Sequence, residues 1–114
     1  YGPGSSGNFS QDNPFPNGTN NTDNFALESL SRLTFNVAGN YVLRVTSDDG
    51  FRLRTGVSSA GIGGSVYTEF VGQRPTGTND GGILAQGAGS VLDVRLTYFE
   101  AGGTQDVEFA YSLN

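Results

Sequence analysis

The stretch Gly39-Asn-Tyr-Val-Leu-Arg-Val-Thr-Ser-Asp-Asp-Gly-Phe-Arg-Leu-Arg-Thr-Gly56 decides how this chain is read. Tyr41, Leu43 and Val45 fall on one side, with Arg44 and Thr46 opposite, the period of two that marks a half-buried strand. The alternation resumes with Phe51 and Leu53 against Arg52 and Arg54. Between the two runs stands Asp48-Asp49-Gly50. An unbroken strand would send the two carboxylates to opposite faces. A sharp turn, relaxed by Gly50, lets both converge on one small volume at the end of a sheet, and such a volume suits a hard cation.

The same period extends outward from this core. Leu33, Phe35 and Val37 share a face with Arg32, Thr34 and Asn36 opposite, and Ala38-Gly39-Asn40 reads as a tight turn. Gly56 to Gly64 reads as a loop, Val66 to Val71 as a short strand, and Gly72 to Gly89 as a long glycine-rich connection with a turn signal at Asn79-Asp80-Gly81-Gly82. The strongest strand runs from Val91 to Phe99, with Leu92, Val94, Leu96 and Tyr98 inward. Ala101 to Thr104 is expected to turn it into a hairpin with a strand bearing Val107, Phe109, Tyr111 and Leu113 on one face. Arg52 and Arg54 are expected to decorate a solvent face and pair with Asp93 or Glu108. The expected fold is therefore all-β, an antiparallel β-sandwich over residues 25–114, behind a Gly/Ser/Asn-rich arm at residues 1–24.

Totals narrow the function classes. The 114 residues suffice for one core, and 18 glycines without a three-residue period favour short strands and turns over collagen. There is no cysteine, so neither disulfides nor a thiolate site is available, and no histidine, so Ser-His and Cys-His nucleophile systems cannot be assembled. All six basic residues are arginines, against eleven acidic ones, and a net charge of −5 disfavours nucleic acid and anionic membranes. No apolar run approaches the ~20 residues of a membrane helix, so no membrane insertion is expected. A start at Tyr1 reads as that of a processed or excised piece. A glycosidase pairing Asp48 or Asp49 with Glu100 remains formally open to these residue types, but a chain this short offers no obvious deep cleft, and a non-enzymatic role is expected.

The Gly39–Gly56 stretch, together with Leu96-Thr-Tyr-Phe-Glu-Ala-Gly-Gly-Thr-Gln-Asp-Val-Glu-Phe-Ala-Tyr111, resembles the PA14 family of β-sandwich domains found in bacterial toxins, glycosidases and yeast surface adhesins. The shared pattern is Gly-x-Tyr near a strand start, a Ser-Asp-Asp-Gly corner, an apolar strand, and later an aromatic strand followed by Gly-Gly. The resemblance implies a calcium ion held by Asp48 and Asp49 across a cis peptide bond, with sugar hydroxyls as further ligands. Where the adhesins place a ligating asparagine after the aromatic strand, this chain has Glu100, and the tryptophan some of them use nearby is absent. Thr104 and Gln105 are expected to line a shallow glycan pocket, with Asn79 and Asp80 as further contacts. A secreted or cell-surface location and a glycan or polysaccharide partner follow from the same resemblance.

A structural role is the alternative: a subunit of an extracellular filament, adhesin stalk or surface layer. Self-association into polymer would then proceed through the N-terminal arm, whose Phe9 and Phe15, with Phe25 beyond it, could fill pockets at a neighbour's sheet edge. The sequons at Asn8, Asn17 and Asn20 carry little weight in a segment so rich in Asn, Ser and Thr.

Overall fold

A computed structural model describes residues 23–103 and 105–114. The arm's phenylalanines Phe9 and Phe15, its sequons, and the site candidate Thr104 lie outside the described residues. The described residues form eight strands: β1 (Phe25–Phe35), β2 (Gly39–Asp48), β3 (Phe51–Thr55), β4 (Ser65–Phe70), β5 (Gly77–Asp80), β6 (Leu84–Gln86), β7 (Ser90–Glu100) and β8 (Asp106–Leu113). All pairings are antiparallel, and the described residues contain no helix.

One sheet runs β1-β7-β3-β4; the other is built on β2, which bonds β8 along one edge and β5 and β6 along the other. Their inner faces meet in a core of Leu43 and Val45 from β2 against Phe51, Leu53, Val94 and Leu96 from β3 and β7. These are the residues whose alternation the sequence shows. Burying each such side chain contributes roughly 1.5–3 kcal/mol, so this cluster is the main source of cohesion in a chain without disulfides.

Three expectations are corrected. The hairpin between the two C-terminal strands does not form: β7 bonds β1 on one side and β3 on the other, so β8 crosses to the second sheet and pairs with β2. The connection from 72 to 89 is not structureless, because β5 and β6 within it cover the free edge of β2. Arg52 pairs with Glu69, its cross-strand neighbour on β4, at 2.6 Å, and Asp93 pairs with Arg32 on β1 at 2.7 Å. Register, which is long-range information, selects these partners. The first strand also begins at Phe25, earlier than its apolar pattern indicates, and Val37 lies in the turn, 57% exposed.

The topology positions a site. Three connections pass from one sheet to the other at the same end of the sandwich: residues 49–50 between β2 and β3, 71–76 between β4 and β5, and 101–105 between β7 and β8. The start of β1 stands at this end, Phe25 opposite Glu100, while β8 ends at the far one, Leu113 opposite Tyr41.

Candidate metal centre

Asp48 is the last residue of β2, and Asp49 and Gly50 carry the chain to the other sheet. The break in alternation is thus a change of sheet, and the Asp48–Asp49 peptide bond is cis. Gly50 is needed for space: a Cβ there would stand 2.2 Å from Phe99 Cε1 and 2.9 Å from the Gly72 carbonyl oxygen. Glu100 ends β7, two residues beyond Tyr98 and so on the same inward face.

The connections bring Asp48, Asp49 and Glu100 together, one carboxylate oxygen from each lying within 4.8 Å of the others. All three are buried, at 9%, 4% and 1% exposure. Each is held. The Arg74 and Ala101 backbone N–H groups donate to Asp49 Oδ1 and Oδ2, both at 2.9 Å. The Gly102 N–H donates to Glu100 Oε1 at 2.7 Å, and the Tyr98 hydroxyl lies 2.9 Å from Oε2 while also contacting the Asp48 carbonyl oxygen. The Asp48 carboxylate accepts from Thr76, from its hydroxyl at 3.4 Å to Oδ2 and from its backbone N–H.

Electrostatics reflect this crowding. Burial, and then the neighbouring Asp49, push the Asp48 carboxyl above its ordinary range. Burial likewise raises Glu100, partly opposed by its bonds from Tyr98 and Gly102. Tyr98 is raised well above the ordinary phenol range by burial and by Glu100. Asp106 faces Asp48 in the β2–β8 register, and Asp23 accepts a bond from the Gly103 N–H at 3.2 Å, so five of the eleven acidic residues gather at one end.

The cation at this end, Arg74, is a residue that the sequence does not single out. Its guanidinium lies 4.3 Å from the Phe70 ring centroid and 5.6 Å from that of Phe51, and burial lowers its pKa. Its donors reach the Ser47 carbonyl at 3.2 Å, Ser47 Oγ at 2.9 Å, the Gly77 carbonyl at 2.8 Å and Asn79 Oδ1 at 2.6 Å. One sequence hint exists, a lone arginine before Pro75 in a glycine-rich loop, but nothing local shows where that loop docks.

The other expected contacts are distributed differently. The Asn79 amide oxygen is engaged by Arg74, and Asp80 forms a two-point ion pair with Arg44 at 2.6 and 2.9 Å. Gln105 directly precedes β8, at the end of the connection that holds Ala101 and Gly102. Chemically, three clustered carboxylate oxygens without His or Cys anywhere in the chain form a donor set for a hard cation. Compared with known protein families and with curated proteins, the sequence matches none.

Proposed function

We propose that this domain is a PA14-like, non-enzymatic module of a secreted or cell-surface protein, binding carbohydrate through a calcium ion held by Asp48, Asp49 and Glu100. The observation that carries the reading is the convergence of three buried carboxylate oxygens to within 4.8 Å where three connections meet. Calcium–oxygen distances are about 2.3–2.6 Å and magnesium–oxygen distances about 2.0–2.1 Å, so oxygens spread by up to 4.8 Å suit the larger ion better. Calcium takes about six to eight oxygens, leaving positions for carbonyls, water and sugar hydroxyls.

Asp48→Asn is the cleanest test, because the amide has the same shape as the carboxylate, keeps an oxygen to accept from Thr76 and removes the charge that a cation needs. Calorimetric titration of chelator-treated protein with calcium is expected to give a one-to-one isotherm that this variant weakens at least a hundredfold. Glycan-array retention in calcium, lost in chelator, is expected alongside. Absence of calcium binding by the unaltered protein refutes the site.

A second reading has its own support. Asp49 and Glu100 are only 4% and 1% exposed, so an ion here would also tie the two sheets together, as a structural block in a filament or surface layer requires. Calcium binding without retention on any glycan, together with polymerisation lost on deleting residues 1–24, would favour that reading.

A further inference from the structure

The geometry points to Arg74 as the positioning residue of the carboxylate centre, a cation that shapes the site without occupying it. This rests on the calcium reading. An arginine near carboxylates ordinarily forks onto one of them and neutralises it at contact distance. Here the guanidinium directs its donors at two carbonyl oxygens, a hydroxyl and an amide oxygen, and none at Asp48, Asp49 or Glu100.

Two routes nevertheless connect Arg74 to Asp49. Its backbone N–H donates to Asp49 Oδ1 at 2.9 Å. Its Nη2 donates to Ser47 Oγ at 2.9 Å, and that hydroxyl in turn donates to the Asp49 carbonyl oxygen at 2.7 Å. The ring stack on Phe70 and Phe51 fixes the guanidinium plane against the β3–β4 sheet, while Ser47, Gly77 and Asn79 hold its edge to the β2 sheet. Arg74 therefore ties the 71–76 connection to the acidic corner from both sheets. Its guanidinium donates to none of the three carboxylates and acts on Asp48 only through its charge at longer range, so the carboxylate oxygens stay open to a metal. Lysine cannot substitute: its ammonium keeps the charge but has neither the planar fork nor the stacking face.

Terbium(III) serves as the probe. The chain has no tryptophan, and the Tyr98 hydroxyl sits 2.9 Å from Glu100 Oε2, placing a sensitising ring beside the centre. Tyrosine-sensitised luminescence gives affinity, and lifetimes in H2O and D2O give the number of bound waters. Arg74→Lys is expected to weaken terbium binding at least tenfold and to add one or two bound waters. Arg52→Lys, in an exposed ion pair on the outer sheet face, is expected to change neither. A folded Arg74→Lys protein with unaltered affinity and water count overturns the assignment. If Arg74→Lys does not fold, Ser47→Ala decides: it removes only the hydroxyl relay, should add bound water with a smaller loss of affinity, and overturns the assignment if both stay unchanged. Unaltered protein that gives no sensitised terbium emission overturns the metal reading itself, and with it the role of Arg74, a result distinct from either variant's failure.

Discussion

The outer face of the β1-β7-β3-β4 sheet and the acidic end of the sandwich use the same side chains to opposite effect. On the face, Arg32–Asp93, Arg52–Glu69 and Arg95–Glu28 pair across strands at 2.6–2.7 Å, with their side chains substantially exposed. At the end, Asp48, Asp49 and Glu100 are buried beside an arginine that pairs with none of them. Exposed pairs of this kind are worth about 0–1 kcal/mol each, whereas a buried carboxylate is tolerated only where donors or a cation compensate it. Burial, more than the count of charges, separates decoration from a candidate site.

The strongest way to break this contrast is Asp49→Ala. It removes the acceptor from two partly buried backbone N–H groups, those of Arg74 and Ala101, and is expected to lower stability by about 3 kcal/mol, read by urea denaturation, besides eliminating calcium binding. A loss under 1 kcal/mol would place Asp49 with the exposed pairs. Gly50→Ala comes next. A Cβ would overlap Phe99 and press on the Gly72 carbonyl, so a loss of about 1–3 kcal/mol is expected, together with weaker calcium binding as Asp49 shifts.

Acidity sharpens the contrast further. Asp48 and Glu100 have carboxyls raised above the ordinary 3.8 and 4.5, so the folded state holds their protons more tightly than the unfolded chain does. Their ionisation therefore subtracts from stability as pH rises through the raised values, and the deficit vanishes in acid, where both states are protonated. Calcium held at the proposed centre would remove that deficit. The increase in melting temperature on adding calcium is expected to be small near pH 4 and to grow toward pH 7; an increment independent of pH would contradict the buried-carboxylate account. The smallest effect is reserved for the exposed face, where Arg52→Gln is expected to change stability by no more than about 0.5 kcal/mol in urea denaturation.

Much of this was legible in the sequence, for a definite reason. β2, β3 and β7 each bury one face, so the alternation of Tyr41, Leu43 and Val45, of Phe51 and Leu53, and of Val94, Leu96 and Tyr98 records the core directly. The early half of β1 is obscured because Ser29 and Ser31 stand at alternating positions where apolar residues would be expected, lining a partly open cavity with Leu53 and Leu96. β5 and β6 are short edge segments whose evidence is their pairing with β2, which no local pattern contains. The β7–β8 hairpin was the natural reading of Gly102-Gly103, but strand partnership is settled by which edges remain open, and β7 has none.

The site divides along the same line. Asp48 and Asp49 are visible because they interrupt a strand, whereas Glu100 stands out only through the resemblance, at the position where the adhesins place an asparagine. Arg74 reaches its partners across 25 and 27 residues of chain, and its role emerges only when the 71–76 connection is laid against the corner.

The placement of the two outermost strands has a mechanical meaning. β1 starts at the acidic end and β8 finishes at the opposite one, in different sheets. Tension between Phe25 and Leu113 would run along both strands at once, straining their ladders to β7 and β2 in shear instead of peeling them open bond by bond. A domain threaded in this way resists stretching with many hydrogen bonds together, and its acidic end lies at the point where the load comes in.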